Sequence, residues 1–171
     1  MKITNQRISD KTILVLLIVI TLATTFFLIT RNPHMEVESP RYLLSIHNLV
    51  DNKGYTYGRN LELLNPPGYG IIAYLFFLVA RDIELSGMIT SAISTILIIP
   101  LTFYTSRFLF GRRTALISSF LVTFSPVVWA NSYTANPTAL FTFFLLLSFF
   151  VYVQVLSKKS RVYQSRPSIM L

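Results

Sequence analysis

Two carboxylates, Glu36 and Glu38, directly precede a segment with the pattern of a short amphipathic helix. Ser39-Pro40 supplies the residues typical of a helix N-cap and first turn. The apolar side chains that follow recur at helical spacing (Tyr42, Leu43, Ile46, Leu49 and Val50). An ionised Glu38 at the mouth of such a helix could take a proton from a hydroxyl, or hold a divalent cation together with Glu36. The residues alone leave a second interpretation open, in which both are solvated loop acids.

The composition is that of a membrane protein. Hydrophobic residues make up 53% of the 171 residues and charged residues 13%, and the mean hydropathy is +0.57, which argues against a soluble domain. The chain has no cysteine, so disulfides and cysteine-ligated metals are excluded. The net charge of +8 falls in short runs beside apolar segments. This distribution is typical of membrane orientation signals, and it argues against nucleic-acid binding.

Four apolar runs are long enough to be spans, and together they predict an all-α integral membrane protein with about four transmembrane helices. We expect one membrane module over residues 1–171, with a long outer loop that carries two interfacial helices. The predicted parts are span one at 12–30, the outer loop at 31–86, span two at 87–106, span three at 114–130, span four at 138–156 and a basic tail at 157–171. A fifth apolar stretch, 71–80, is too short to cross and suits an interfacial or re-entrant segment.

The distribution of basic residues predicts the orientation. If 71–80 does not cross, ten Lys and Arg residues lie inside and five lie in the long outer loop. If it does cross, the basic turn at 107–113 and the basic tail are forced outside. The positive-inside rule therefore favours four spans, with the amino and carboxyl termini in the cytoplasm.

Four motifs, in this order, resemble the GT-C glycosyltransferases, in the branch of the protein mannosyltransferases and lipid A aminoarabinose transferases. Glu38-Ser39-Pro40-Arg41-Tyr42 resembles the family's acid followed by an Arg-Tyr helix, and Pro66-Pro67-Gly68-Tyr69 resembles its Pro-Pro-x-Tyr segment. Residues 107–113 resemble the family's basic inner turn, and Ser125-Pro126 resembles the end of its next span. The resemblance covers about residues 10 to 157.

The resemblance implies a catalytic module that uses a polyprenyl-phosphate-linked monosaccharide and transfers it, with inversion, to an acceptor hydroxyl on the outer or luminal side. Glu38 takes the place of the catalytic acid. The implied substrate-binding residues are Glu36, Arg41, Tyr42, Tyr69 and Asn136. Arg41 would face the leaving phosphate, while the tyrosines could equally be membrane anchors. Expected partners are membrane lipid, the lipid-linked donor and, as an open alternative, a second chain that supplies further spans.

Two departures from the family pattern support an alternative function. The family usually has a second acid in the next outer turn, where this chain has Asn136, and its members have more spans. The alternative is a truncated or degenerate, non-catalytic membrane subunit of such an enzyme. Transport is the weakest hypothesis, because the spans contain Ser and Thr but few ionisable residues. No cofactor is certain, and a divalent cation at Glu36 and Glu38 stays open.

Overall fold

The computed structural model describes residues 9–31, 39–51, 53–54, 56–57, 60–61 and 67–164. It is built almost entirely of helices. Seven helices lie in the described residues: α1 (Asp10–Arg31), α2 (Ser39–Val50), α3 (Pro67–Ala80), α4 (Ile83–Phe110), α5 (Arg112–Thr123), α6 (Pro126–Tyr133) and α7 (Thr138–Gln164). Two short strands, β1 (Thr56–Tyr57) and β2 (Asn60–Leu61), pair antiparallel between α2 and α3, with Thr56 opposite Leu61. The sequence did not predict this hairpin.

Three of the described helices are long and apolar enough to cross a membrane: α1, α4 and the Thr138–Lys158 part of α7. The pair of α5 and α6, bent by 54°, makes a fourth if it counts as one span. The 14-residue α3 is apolar but shorter than a span. The predicted fold class, an all-α integral membrane protein with about four spans, is confirmed.

The fourth helix lies at the centre of the bundle. Half of the most apolar 18-residue stretch of α4 is buried, whereas only 11% of the corresponding stretch of α7 is buried. Its buried face alternates bulky residues such as Ile99 and Phe103 with small hydroxyl residues. The hydroxyls of Thr90 and Ser94 donate to the carbonyl four residues before them, at 2.8 and 2.7 Å. Small, self-satisfied side chains of this kind let neighbouring helices approach closely in a membrane.

The bend between α5 and α6 occurs at Ser125-Pro126. Pro126 is the first residue of α6 and has no N–H to continue the ladder of α5. The indole Nε1 of Trp129 donates to the carbonyl of Thr123 at 2.6 Å, which satisfies a carbonyl at the end of α5. Farther along, Thr25 Oγ1 of α1 donates to Ser132 Oγ at 3.1 Å. The bent pair is thereby fastened to the first helix.

One end of the bundle is closed by a charged cluster. The Asp10 carboxylate, 15% exposed, lies 3.2 Å from the guanidinium of Arg107 and 2.6 Å from that of Arg112. The guanidinium of Arg107 also lies 5.8 Å from the ring centre of Phe103. Because Asp10 begins α1 and the two arginines flank the α4–α5 turn at Gly111 (φ 87°), these elements share one end of the bundle. The helices α2 and α3 lie at the other end, against the start of α4.

Candidate functional site

The site forms where α2, α3 and the first turns of α4 meet, and its centre is a pair of tyrosines. Tyr42 in α2 and Tyr69 in α3 pack edge to face, with ring centres 5.7 Å apart and an interplanar angle of 73°. Their exposed fractions are 9% and 3%. An edge-to-face pair stabilises by about 0.5–1.5 kcal/mol beyond its burial. This contact fixes the amino-terminal end of α2 against α3.

The Tyr69 hydroxyl anchors α3 to α4. It donates to the backbone carbonyl of Gly87 at 2.9 Å and lies 3.4 Å from Ser91 Oγ. Burial raises the pKa of the Tyr69 phenol well above its ordinary value, and the contact with Ser91 opposes this to a smaller extent. Tyr69 is therefore a neutral hydrogen-bond donor at physiological pH, and proton abstraction is not its role.

Gly87 lets four parts of the chain converge on one point. A methyl group added there would lie 2.7 Å from Ala135 Cβ, 3.1 Å from Leu43 Cδ2 and 3.2 Å from the Tyr69 hydroxyl oxygen. These neighbours belong to the α6–α7 turn, α2 and α3. The absence of a side chain at position 87 therefore allows these elements to pack closely against α4.

The turn between α6 and α7 is held by Asn136, which is 3% exposed. Its carbonyl accepts from Ser91 Oγ at 2.9 Å, and its side-chain Oδ1 accepts from the backbone N–H of Thr138 at 3.0 Å. Its Nδ2 donates to Thr134 Oγ1 at 2.6 Å and to Asn131 Oδ1 at 3.2 Å. The amide therefore organises the start of α7 through local bonds.

An apolar groove of about 420 Å³ opens beside the tyrosine pair. Its walls come from α2, α3 and α7, and they include Tyr42, Tyr69, Ile72, Leu140 and Phe144. A groove of this composition suits a hydrocarbon chain and offers little to a free sugar. We refer to it below as the apolar groove.

The structure brings together three of the predicted site residues: Tyr42, Tyr69 and Asn136, the last joined to Tyr69 through Ser91. Arg41 lies in α2, but its side chain is outside the described part of the chain. Glu36 and Glu38 lie outside the described residues altogether. The roles predicted for all six residues stay predictions.

Metal binding is likewise untested at the predicted position. Among the described residues no group of three or more His, Asp or Glu side chains could hold a metal ion. The cation predicted at Glu36 and Glu38 falls outside that part of the chain.

Sequence reasoning missed Gly87 and Ser91, which connect the predicted residues. A signal was present, since Gly87, Ser91 and Thr95 follow one another at four-residue spacing. Small residues at this spacing mark a face on which membrane helices approach closely. The pattern identifies the face, although it does not say which helices pack there.

Residues 65–165, more than half of the chain, match the family model of dolichyl-phosphate-mannose-protein mannosyltransferases. The chain belongs to this family, whose members are membrane glycosyltransferases of the GT-C type that use a polyprenyl-phosphate sugar. The matched region includes Tyr69 and Asn136 and begins after α2. No curated protein and no solved structure matches the chain.

Proposed function

We propose that the chain is the catalytic module of a glycosyltransferase that moves a monosaccharide from a polyprenyl phosphate to an acceptor hydroxyl, with inversion, on the outer side of the membrane. The observation that carries the proposal is the apolar groove at the tyrosine pair, in a member of a lipid-linked sugar transferase family. In this account the groove receives the first isoprene units of the donor. The phosphate and sugar then lie toward the amino-terminal end of α2.

The reaction is a single displacement. The Glu38 carboxylate accepts the proton of the acceptor hydroxyl as its oxygen attacks the anomeric carbon. The bond between that carbon and the phosphate oxygen breaks, and the polyprenyl phosphate leaves with the bonding electrons. Arg41, on the first turn of α2, stabilises the charge on the leaving phosphate. Glu36 contributes to substrate binding.

The tyrosine pair and Asn136 position these groups. Glu38 and Arg41 flank the start of α2 in the sequence, and the contact between Tyr42 and Tyr69 holds α2. Tyr69 is in turn fixed on Gly87, and Ser91 connects it to Asn136. A displacement of about 1 Å at this point would lower the rate strongly, because the reaction depends on alignment.

The orientation follows from the charged cluster and the basic residues. The contact of Asp10 with Arg107 and Arg112 brings the start of α1 and the α4–α5 turn to one end of the bundle. An even number of crossings must separate them, and α1 and α4 already make two. This supports an α3 that does not cross. With the basic residues on the inner side, the proposal has the site on the outer side and both termini in the cytoplasm.

Photocrosslinking tests the donor site. Membranes that contain the full chain are irradiated with a polyprenyl-phosphate sugar that carries a photoreactive group on its first isoprene unit. We expect crosslinks on α3 and α7, and we expect Ile72→Trp, which fills the apolar groove, to abolish them. Leu145→Trp is the matched control, since Leu145 lines a different apolar cavity between α4 and α7. Equal crosslinking in the wild type and the Ile72→Trp variant would reject the groove as the donor site.

A further inference from the structure

A second cavity, of about 610 Å³, lies between the carboxyl-terminal half of α2 and the α3–α4 turn. Its floor is apolar and includes Leu43, Val50 and Phe77. Its rim is charged and includes Arg81, Asp82 and Glu84, with His47 on the α2 side. This mixture of an apolar floor and a charged rim distinguishes the cavity from the apolar groove. We call it the rim cleft.

Two of the rim charges are uncommitted. Asp82 Oδ1 accepts from the backbone N–H of Leu85 at 2.9 Å and caps α4, and His47 lies 3.6 Å from Asp51. Within the described residues, neither Arg81 nor Glu84 takes part in an ion pair. The rim therefore offers one cation and one carboxylate to a ligand.

Arg81 occupies a backbone conformation that favours glycine. Its φ is 57°, and it is the one residue other than glycine with a positive φ in the part of the chain that the structure describes. Its N–H donates to Phe77 O at 2.9 Å, so it ends α3 in the left-handed geometry usual for glycine. An arginine held in this strained position points to a need for its side chain.

The rim cleft lies where a candidate membrane span begins. Arg81 and Asp82 separate the apolar α3 from the membrane-crossing α4, which starts at Ile83. The amphipathic α2 forms the opposite wall. Charged residues at the end of a span, over an apolar floor, match the boundary between headgroups and acyl chains.

We propose that the rim cleft binds a zwitterionic aminophospholipid. Arg81 pairs with the lipid phosphate, Glu84 accepts hydrogen bonds from the primary ammonium, and the apolar floor receives the glycerol and the first acyl methylenes. A choline headgroup has no N–H to donate to Glu84. An anionic headgroup meets a rim with two carboxylates and one cation. The charges of the cleft thus select an amine-bearing, net neutral lipid.

The test is lipid binding to the purified full chain in detergent, measured by native mass spectrometry. The probes are phosphatidylethanolamine, phosphatidylcholine and phosphatidylglycerol with identical acyl chains. We expect one phosphatidylethanolamine to bind about fivefold more tightly than either of the others, the gain of one charge-assisted contact at an interface. Glu84→Gln is expected to remove this preference.

Because Arg81 has a backbone conformation that favours glycine, the variant Arg81→Gly can separate an effect on lipid binding from an effect on folding. Arg81→Gly places glycine where the backbone favours it, so we expect an unchanged or higher thermal midpoint. In the same variant we expect phosphatidylethanolamine binding to fall about fivefold. Arg113→Gln, an exposed arginine in the first turn of α5, is the matched control and should leave binding unchanged. Equal affinity for the three lipids, or full phosphatidylethanolamine binding in Arg81→Gly, would overturn the proposal.

Discussion

The Ser91 hydroxyl donates to the carbonyl of Asn136 at 2.9 Å and lies 3.4 Å from the Tyr69 hydroxyl. One side chain of α4 thereby lies between Tyr69 of α3 and the turn that begins α7. We expect the effects of Ser91→Ala and Tyr69→Phe to be coupled, because the two hydroxyls are in contact. Each change should lower the free energy of unfolding by about 1 kcal/mol. The double mutant should differ from their sum by at least about 0.5 kcal/mol, as is usual for residues in contact. The free energies are measured by chemical unfolding of the wild type, the two single mutants and the double mutant. Additive effects would show that the contact between the two hydroxyls does not contribute to stability.

Gly87→Ala should destabilise the protein. The new methyl group would lie 2.7 Å from Ala135 Cβ and 3.1 Å from Leu43 Cδ2, so the α6–α7 turn or α4 would have to shift. We expect a loss of about 1–3 kcal/mol, as for other overpacked interiors. Gly68→Ala is the matched control, because a methyl group there meets nothing within 4 Å. Its thermal midpoint should stay the same or rise, owing to better helix propensity. Similar midpoints for the two variants would contradict the close approach at Gly87.

Asp10→Asn should loosen the charged end of the bundle. The change removes the negative partner of Arg107 and Arg112, whose side chains are about half exposed. We expect a loss of about 1 kcal/mol for the two exposed pairs together. The difference in thermal midpoint from the wild type should shrink in high salt, because salt screens pairs of this kind. A difference that does not depend on salt would indicate that packing, not charge, is what Asp10 contributes.

The buried phenol of Tyr69 predicts a pH dependence of stability at alkaline pH. Because burial raises its pKa above the value in the unfolded chain, the protonated phenol favours the folded state. This contribution is complete below about pH 10, the unfolded pKa, and is lost as the pH rises further. The free energy of unfolding should therefore fall more steeply above pH 10 in the wild type than in Tyr69→Phe. Parallel curves from chemical unfolding at pH 8 to 11 would contradict the burial of the phenol.

Membrane orientation can be measured by labelling single introduced cysteines. The chain has no cysteine of its own that would react with the label. We expect a membrane-impermeant maleimide to label Lys53→Cys in intact cells and Arg113→Cys only after permeabilisation. Both positions are exposed, so access to the reagent depends on the side of the membrane. Labelling of Arg113→Cys in intact cells would reverse the proposed orientation.

Much of the fold follows from local pattern. The length of each apolar run and the Ser-Pro start of α2 are properties of neighbouring residues, and each predicts a helix or its beginning. The break at Ser125-Pro126 was not predicted, since residues 114–130 were expected to form one span. The convergence at Gly87 and the contact between Asp10 and Arg112 join residues far apart in the chain. Hydrophobic periodicity does not specify such partners. In the candidate site, the sequence identified Tyr42 and Tyr69 through their motifs, whereas Ser91, which connects Tyr69 to Asn136, became evident from the structure.

The most direct test of the central claim is sugar transfer in native membranes that carry the Glu38→Gln variant of the full chain. A radiolabelled polyprenyl-phosphate sugar is supplied, and label that moves to acceptor is counted. We predict that the rate of sugar transfer falls at least about 100-fold, because the amide cannot take the acceptor's proton. Asp51→Asn, at an exposed position just after α2, is the control and should retain activity. Wild-type transfer by Glu38→Gln would contradict the proposed mechanism.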